Sequence, residues 1–270
     1  ILYFEVQSIF KMILYKKALK FLINQNKIGL SDSILVLAGG PNDFNALRSF
    51  GFKNVTITNI APHSKGFDYS PFNYQKADIL NLDFEDQSYD WVFISAALHH
   101  LHSPHYGFCE MLRISIKGIL VIESSDNFLS RLSRKLKLGL DYEVDALLSD
   151  GTGGVNNTHI PNFVYRWTKA EVKKTVNSFI PETKNEFHFL CNQQIPFARI
   201  KREKNTLKKI ILFSVLPILY LFKYVFPSQS NEFCFMVLKS KDLHPWLLNT
   251  ESGIALNKPY LNKNFKTNLK

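Results

Sequence analysis

The chain has 270 residues, 46 % of them apolar and 21 % charged, which excludes wholesale disorder, and its 12 glycines and 11 prolines exclude collagen-like or low-complexity classes. Its 33 basic and 23 acidic side chains leave a formal charge of +10, suited to a phosphate-bearing partner: nucleic acid, a nucleotide or an anionic membrane face. Cys109, Cys191 and Cys234 are odd in number and far apart, which excludes a disulfide framework or a CxxC metal knuckle and points to reduced thiols in a cytoplasm.

Residues 6–28 contain no acid. From Ile9 to Ile28, apolar residues (Phe10, Ile13, Leu14, Phe21, Leu22) are mixed with five lysines, the pattern of a basic amphipathic helix. Packing on the domain is the preferred place for it. Its apolar stretches are too interrupted for a signal core or a membrane span.

Ser31-Asp32-Ser33 supplies a turn, and the fully apolar run Ile34-Leu35-Val36-Leu37 reads as a buried parallel strand. It ends in Ala38-Gly39-Gly40-Pro41-Asn42-Asp43. A helix is expected from Phe44 to Phe50, with Gly51 as its stop. Val55 to Ile60 is a second strand, a weaker third runs into Ala77-Asp78, Asp90 to Ser95 is a fourth and Gly118 to Glu123 a fifth. A helix from His105 to Ile114 separates the last two. Strands alternating with helices imply an α/β fold with a parallel, doubly wound sheet.

After Ser124 the alternation stops, and residues 125–168 read as an insertion or lid. Thr168 and Glu171 form a capping box for a helix to Phe179. Strand-like runs return at Glu186 to Leu190 and Glu232 to Leu238. Between them, residues 199–226 hold six basic residues and one acid ahead of an apolar run from Ile210 to Phe222. That run is too short to span a bilayer and contains Pro217, which is expected to kink a helix. Two placements fit it: a buried helix with a solvated basic flank, or an interfacial helix on an anionic membrane. The domain organisation expected is one domain over residues 1–270, with an N-terminal helix in 1–30 and the two insertions.

A Gly-rich turn after a first strand lets a ligand approach the backbone and meet a helix N-terminus. Gly39-Gly40 does not complete a dinucleotide GxGxxG pattern, because Phe44 stands at its last position. About twenty residues on, where ribose-binding α/β folds carry an acid, this chain has Asn59. An amide still pairs with a hydroxyl, without the strength of a charged acceptor.

The run ADILNLDFEDQSYDWVFISAALHHL (Ala77 to Leu101), followed by a helix and GILVIE, resembles the class I S-adenosylmethionine-dependent methyltransferases, in their small-molecule, type 11-like branch. The order and spacing match over roughly residues 30–125. The resemblance implies a Rossmann-like, doubly wound, mostly parallel seven-stranded sheet with an antiparallel last strand, and S-adenosylmethionine as cofactor. ILVLAGGPN (Ile34 to Asn42) stands in the place of the family's glycine motif, apolar–apolar–acid–apolar–Gly–x–Gly–x–Gly. Val36 replaces its acid, Ala38 its first glycine and Asn42 its third; only Gly40 stands at a family glycine. Asn59 replaces the ribose acid. Asp78 matches the acid that accepts from the adenine amino group, Ile79 would flank the ring, and Ser95 and Ala96 would lie beneath the sulfonium. The resemblance therefore implies a cofactor site made of Ala38, Gly39, Gly40, Asn42, Asn59, Asp78, Ile79, Ser95 and Ala96.

His99 or His100 is a candidate general base, since methyl transfer to a hydroxyl or amine needs a proton acceptor. No metal site is expected, because the histidine tract lacks a second ligand cluster of suitable spacing. Tyr165-Arg166-Trp167 joins aromatic surface to a fixed cation and is the candidate substrate contact; its alternative is an aromatic plug over the sheet. A looser similarity of HIPNFVYRWT (His159 to Thr168) to methyltransferase-like proteins of bacterial surface-polysaccharide genes suggests a small-molecule or glycan-linked acceptor. The departures leave one alternative, a catalytically eroded, methyltransferase-like binding or membrane-associated scaffold. Nucleic acid is a less favoured partner, because neither an NPPY-type motif nor a regular basic–aromatic stripe is present. The location implied is cytoplasmic, with association at the inner membrane face as an extension.

Overall fold

The computed structural model describes residues 2–60, 67–135, 139–147, 153–193, 200 and 204–265. In chain order the elements are α1 (Leu2–Asn24), β1 (Ile34–Leu37), α2 (Pro41–Phe50), β2 (Val55–Asn59), β3 (Asn73–Lys76), β4 (Tyr89–Ser95), α3 (Pro104–Ile114), β5 (Ser115–Ser124), α4 (Phe128–Lys135), α5 (Lys169–Phe179), β6 (Glu186–Asn192), α6 (Thr206–Val225), β7 (Glu232–Leu238), β8 (Leu247–Thr250), β9 (Gly253–Leu256) and α7 (Lys258–Phe265). The first seven strands form one sheet in the order β3-β2-β1-β4-β5-β7-β6. Strands β1 to β5 pair in parallel, and β7 runs antiparallel to both β5 and β6. This is the expected Rossmann-like sheet with its last strand reversed.

Period-two alternation divides each central strand between two cores. On one face Ile34, Val36, Trp91, Phe93, Leu120 and Ile122 pack against α1 and α2. On the other, Leu35, Leu37, Val92, Ile94, Ile119 and Val121 pack against α3 and α5. Because both faces are covered, these strands read as continuous apolar runs. Helix α1 buries Leu14, Ala18 and Leu22, a row at helical spacing, while Lys17 and Lys20 face solvent. It packs on the domain, beginning and ending earlier than the lysine pattern suggested. The third strand is Asn73–Lys76 rather than a run into Asp78: it is a polar edge strand with no apolar signature. The capping box at the start of α5 is present, with the Thr168 hydroxyl accepting from the Glu171 N–H. Helix α6 runs through Pro217 as one element, and Arg199 and residues 201–203 of the basic flank lie outside the described residues, as do Gly151 and Thr152 of the insertion.

One buried acid fixes the carboxyl end of the sheet. Glu123, 2 % exposed near the end of β5, accepts from the Ala97 and Leu98 N–H groups at 2.9 and 2.8 Å. Its second oxygen lies 2.6 Å from His99 Nδ1. The turn between β4 and α3 is thereby held to the neighbouring strand. Burial opposes a charge on the His99 ring, but the Glu123 carboxylate beside it, with Glu143 on the far side, outweighs burial and raises its pKa to about 10.

This pair makes stability depend on pH. The folded-state value lies above that of an exposed imidazole, 6.5. The pair's contribution is therefore complete below about pH 6.5 and is lost as pH climbs through about 10. Thermal midpoints of the wild type should fall over that window relative to those of His99→Gln, which carries no titrating ring. Parallel curves for the two proteins would show that His99 is not held as a cation.

Candidate functional site

At the carboxyl ends of β1, β2 and β4 lies a cavity of about 230 Å³. Its floor comprises Ala38, Asn59, Asp78, Ile79, Ser95 and Ala96, with His100 at one side. Gly153, Gly154, Asn156 and Asn157 of the insertion line it from above. Six of the nine cofactor residues expected from sequence are thus gathered at one place, together with one of the two candidate bases.

The loop after β1 departs from expectation in its details. Ala38 is its left-handed residue, with φ of +48°, and Asn42 instead lies in the first turn of α2. A side chain on Gly39 would meet Val36 and Ile57 carbons at 2.8 Å, so this glycine serves strand packing. Gly40 caps α2, and its N–H donates to Asp43 Oδ2 at 2.9 Å. Gly39, Gly40 and Asn42 are therefore not cavity-lining residues; they shape the loop and the helix entry. Asn59 donates its side-chain N–H to the Gly39 carbonyl at 3.0 Å. A carboxylate could not make that bond, which gives the amide at this position a physical reason.

The residues fit the expected cofactor in two ways. Asp78 Oδ1 accepts from the Leu80 N–H at 3.0 Å, and among the described residues its second oxygen has no hydrogen-bond partner. Asn156 Oδ1 is buried without a partner, while its amide nitrogen lies 2.7 Å from His102 Nδ1. Two acceptors in a cavity otherwise walled largely by alanine, isoleucine and leucine suit a ligand that carries amino groups on an apolar body. Ala96 also adopts a left-handed backbone, at φ +51°. Both strained alanines line the cavity, where a larger side chain would fill it.

The histidines separate. His99 is 5 % exposed and is committed to Glu123 through Nδ1. Its raised pKa leaves no lone pair to take a proton at neutral pH, so its expected role as a base is corrected to that of a turn anchor. His100 lines the cavity, and Glu143 Oε2 stands 3.6 Å from its Nε2. Ring nitrogens of His99 and His100 and the Glu143 carboxylate lie within 4.8 Å of one another, a spacing that a divalent cation could bridge. The same contacts serve as ion pairs to the His99 cation, at 3.5 Å from its Nε2 to Glu143.

Tyr165, Arg166 and Trp167 do not reach the cavity. Trp167 is fully buried against His105, Phe108 and Phe235. The Tyr165 hydroxyl donates to Glu171, the residue that caps α5. Arg166 donates to the carbonyls of Val164 and Leu140, tying the insertion to itself. Burial and the neighbouring Arg134 lower its pKa. The substrate expectation is corrected here to the aromatic plug. Sequence reasoning missed Glu123, Glu143, Asn156 and Asn157. Only Glu123 had a signal, as an acid closing an otherwise apolar strand.

A family model described as a methyltransferase domain matches residues 38–122, the stretch that builds the cavity floor. No curated protein sequence matches the chain. Among solved structures it is similar to a candidate methyltransferase from an antibiotic biosynthesis pathway in Anabaena variabilis, at 15 % identity and a TM-score of 0.51, covering 84 % of this chain and 97 % of that one. It is also similar to an S-adenosylmethionine-dependent methyltransferase from Thermotoga maritima (12 % identity, TM-score 0.49, 88 % and 93 % covered). A third is the magnesium protoporphyrin IX methyltransferase of Synechocystis with S-adenosylhomocysteine bound (9 % identity, TM-score 0.47, 86 % and 84 % covered). At these identities the likeness is one of fold. The family match thus falls on the cavity-forming residues, and the fold shared with the Anabaena structure is that of a methyltransferase domain.

Proposed function

We propose that the methyl is delivered to a hydroxyl or amine of a small-molecule or glycan-linked acceptor, with surface-polysaccharide biosynthesis as its setting. The observation that carries this is the small cavity at the strand ends, to whose lining the insertion contributes Gly153, Gly154, Asn156 and Asn157. A cavity of about 230 Å³ suits a small reacting group. When bound, S-adenosylmethionine supplies an electrophilic methyl on its sulfonium. The chain's own residues position the reactants. Asp78 accepts from an amino group, Ile79 packs along an apolar face, and Asn156 offers a second acceptor. Ala38 and Ala96 keep the floor low enough for close approach. His100, at the cavity wall, is the residue placed to take the acceptor's proton, and the Glu143 carboxylate, 3.6 Å from its Nε2, would stabilise the charge the ring gains. Holding the two reactants in line is the main catalytic device.

Release of S-adenosylhomocysteine should be measured over a panel of hydroxyl- and amine-bearing sugars and small metabolites, with nucleic acid as comparison. Turnover on a member of the small-molecule panel is expected, and His100→Gln should lower it roughly 10²- to 10⁴-fold, the usual share of general-base catalysis. Turnover on nucleic acid alone would overturn the acceptor reading.

The cofactor contacts have their own tests. Asp78→Ala should weaken S-adenosylhomocysteine binding by about 1.5–3 kcal/mol, roughly 10- to 150-fold, by calorimetry. An unchanged affinity in a folded variant would remove Asp78 from the site, and no binding by the wild type would favour the scaffold alternative. Asn59→Asp should lower the thermal midpoint, because it sets a carboxylate against the Gly39 carbonyl at a cost of about 1–3 kcal/mol. A variant as stable as the wild type would show that the loop does not need the amide.

A further inference from the structure

Helix α6 is amphipathic in the wrong sense for a helix of a water-facing fold. Leu207, Ile210, Ile211, Ile218, Leu221 and Val225 are between 52 and 69 % exposed. Their spacing sets them on one face of an α-helix, near the same angle around the axis. Leu212 and Leu216, on the opposite side, are the more covered residues. The apolar stripe therefore looks outward along the whole length of a 20-residue helix. Proteins that work as free monomers in water seldom show so long an apolar face.

Three observations say what covers it. First, the sequence holds no acid between Glu203 and Glu232, while Lys204, Lys208, Lys209 and Lys223 lie in that interval. A second copy of the chain would bring this cationic segment against its own likeness, on top of a formal charge of +10 per molecule. An anionic bilayer meets both needs: it accepts the apolar stripe and neutralises the flank. Second, among the described residues no helix is long and apolar enough to cross a membrane, so the helix would lie in the interface rather than span it. Third, the surface continues. Helix α6 leads through a short turn at Pro227–Gln229 into β7, and the Leu129 N–H of α4 donates to Gln229 Oε1 at 3.2 Å. On α4, Phe128 is 69 % exposed beside the outward-facing Arg131, repeating the apolar-plus-basic pairing.

We infer that α6 is a docking surface for an anionic lipid bilayer, held by its outward apolar stripe and drawn in by the lysines of the acid-free stretch from Lys204 to Lys223. Its carboxyl end joins β7 at Glu232, which pairs with Ser124 at the carboxyl end of β5. The docked bilayer would thus lie toward the end of the sheet that carries the cavity. This surface goes beyond the acceptor reading and does not depend on it.

The test is co-sedimentation of the full chain with vesicles of phosphatidylcholine alone or of phosphatidylcholine with phosphatidylserine. Preferential binding to the anionic vesicles is expected, weakened but not abolished by moderate salt. Ile210→Ser, Ile218→Ser and Leu221→Ser together should remove the salt-resistant part, with S-adenosylhomocysteine affinity unchanged. Lys204→Glu with Lys209→Glu should lower affinity for anionic vesicles at least about tenfold without touching the stripe. Equal binding to both vesicles, or none, overturns the proposal. So does a dimer at sedimentation equilibrium that the serine variant dissociates, which would assign the stripe to a second copy. If the serine variant unfolds, the charge-reversed variant decides alone: an unchanged vesicle affinity there overturns the proposal.

Discussion

A carboxylate buried at the end of a strand is tolerable only if its charge is answered on every side, and Glu123 is answered by two backbone N–H groups and a ring. That requirement organises the carboxyl end of the sheet. It pulls the chain after β4 into a tight turn, with Ala96 in the left-handed region and its N–H bonded to the Ile122 carbonyl at 2.7 Å. It settles the division of labour between two adjacent histidines. His99, its pKa raised by the carboxylate beside it, completes the anchor, and His100, one residue on, is left at the cavity wall. Without the anchor, the floor under the reacting group would have no fixed position.

The turn after β1 mirrors the one after β4. Both carry an alanine at positive φ, both open a helix-bound segment, and both contribute that alanine to the cavity. A left-handed alanine is strained by about 1–3 kcal/mol, so the surroundings must hold it in place. Around Ala38 they do so through the Gly39 N–H bonded to the Thr58 carbonyl at 2.8 Å and the Asn59 amide bonded to the Gly39 carbonyl. The asparagine that looks like a loss at a ribose position is thus a gain for the loop. Ala38 for glycine and Asn59 for an acid are coupled departures: the first strains the turn and the second ties it down.

What the sequence made legible follows from where burial leaves a pattern. Ile34–Leu37, Val55–Ile57 and Trp91–Ile94 are covered on both faces, so their apolar runs announced strands in the right order. From that order the positions of Ala38, Asn59, Asp78, Ile79, Ser95, Ala96 and His100 around one cavity followed. Edge and surface elements leave no such trace. Asn73–Lys76 is mostly exposed, and the β8–β9 hairpin and α7 carry mostly exposed side chains, so neither periodicity nor burial marked them. Tyr165, Arg166 and Trp167 misled for a chemical reason. A ring, a guanidinium and an indole serve a plug as well as a substrate, and only Trp167's burial against Phe108 and Phe235 separates the two. Asn156 and Asn157 come from a polar insertion in which nothing distinguishes a lining residue from a solvated one.

Charge is distributed in a way that bears on how the cavity selects its ligand. Val36, where the family carries an acid, is fully buried in the strand, and Asn59 spends its amide on the loop. Asp78 is the carboxylate among the residues that line the cavity. A site so poor in charge cannot grip a zwitterionic ligand mainly by Coulomb attraction. It must rely on enclosure: a floor of small residues, an apolar wall at Ile79, and a roof whose buried Asn156 oxygen awaits a donor. Enclosure of that kind needs the insertion to be held in place. Arg166 donates to the carbonyls of Val164 and Leu140, and the Trp167 N–H donates to the Ser124 carbonyl, next to Glu123. The roof and the floor are therefore fastened to the same strand end, and the buried acid that fixes the one lies beside the hydrogen bond that fixes the other.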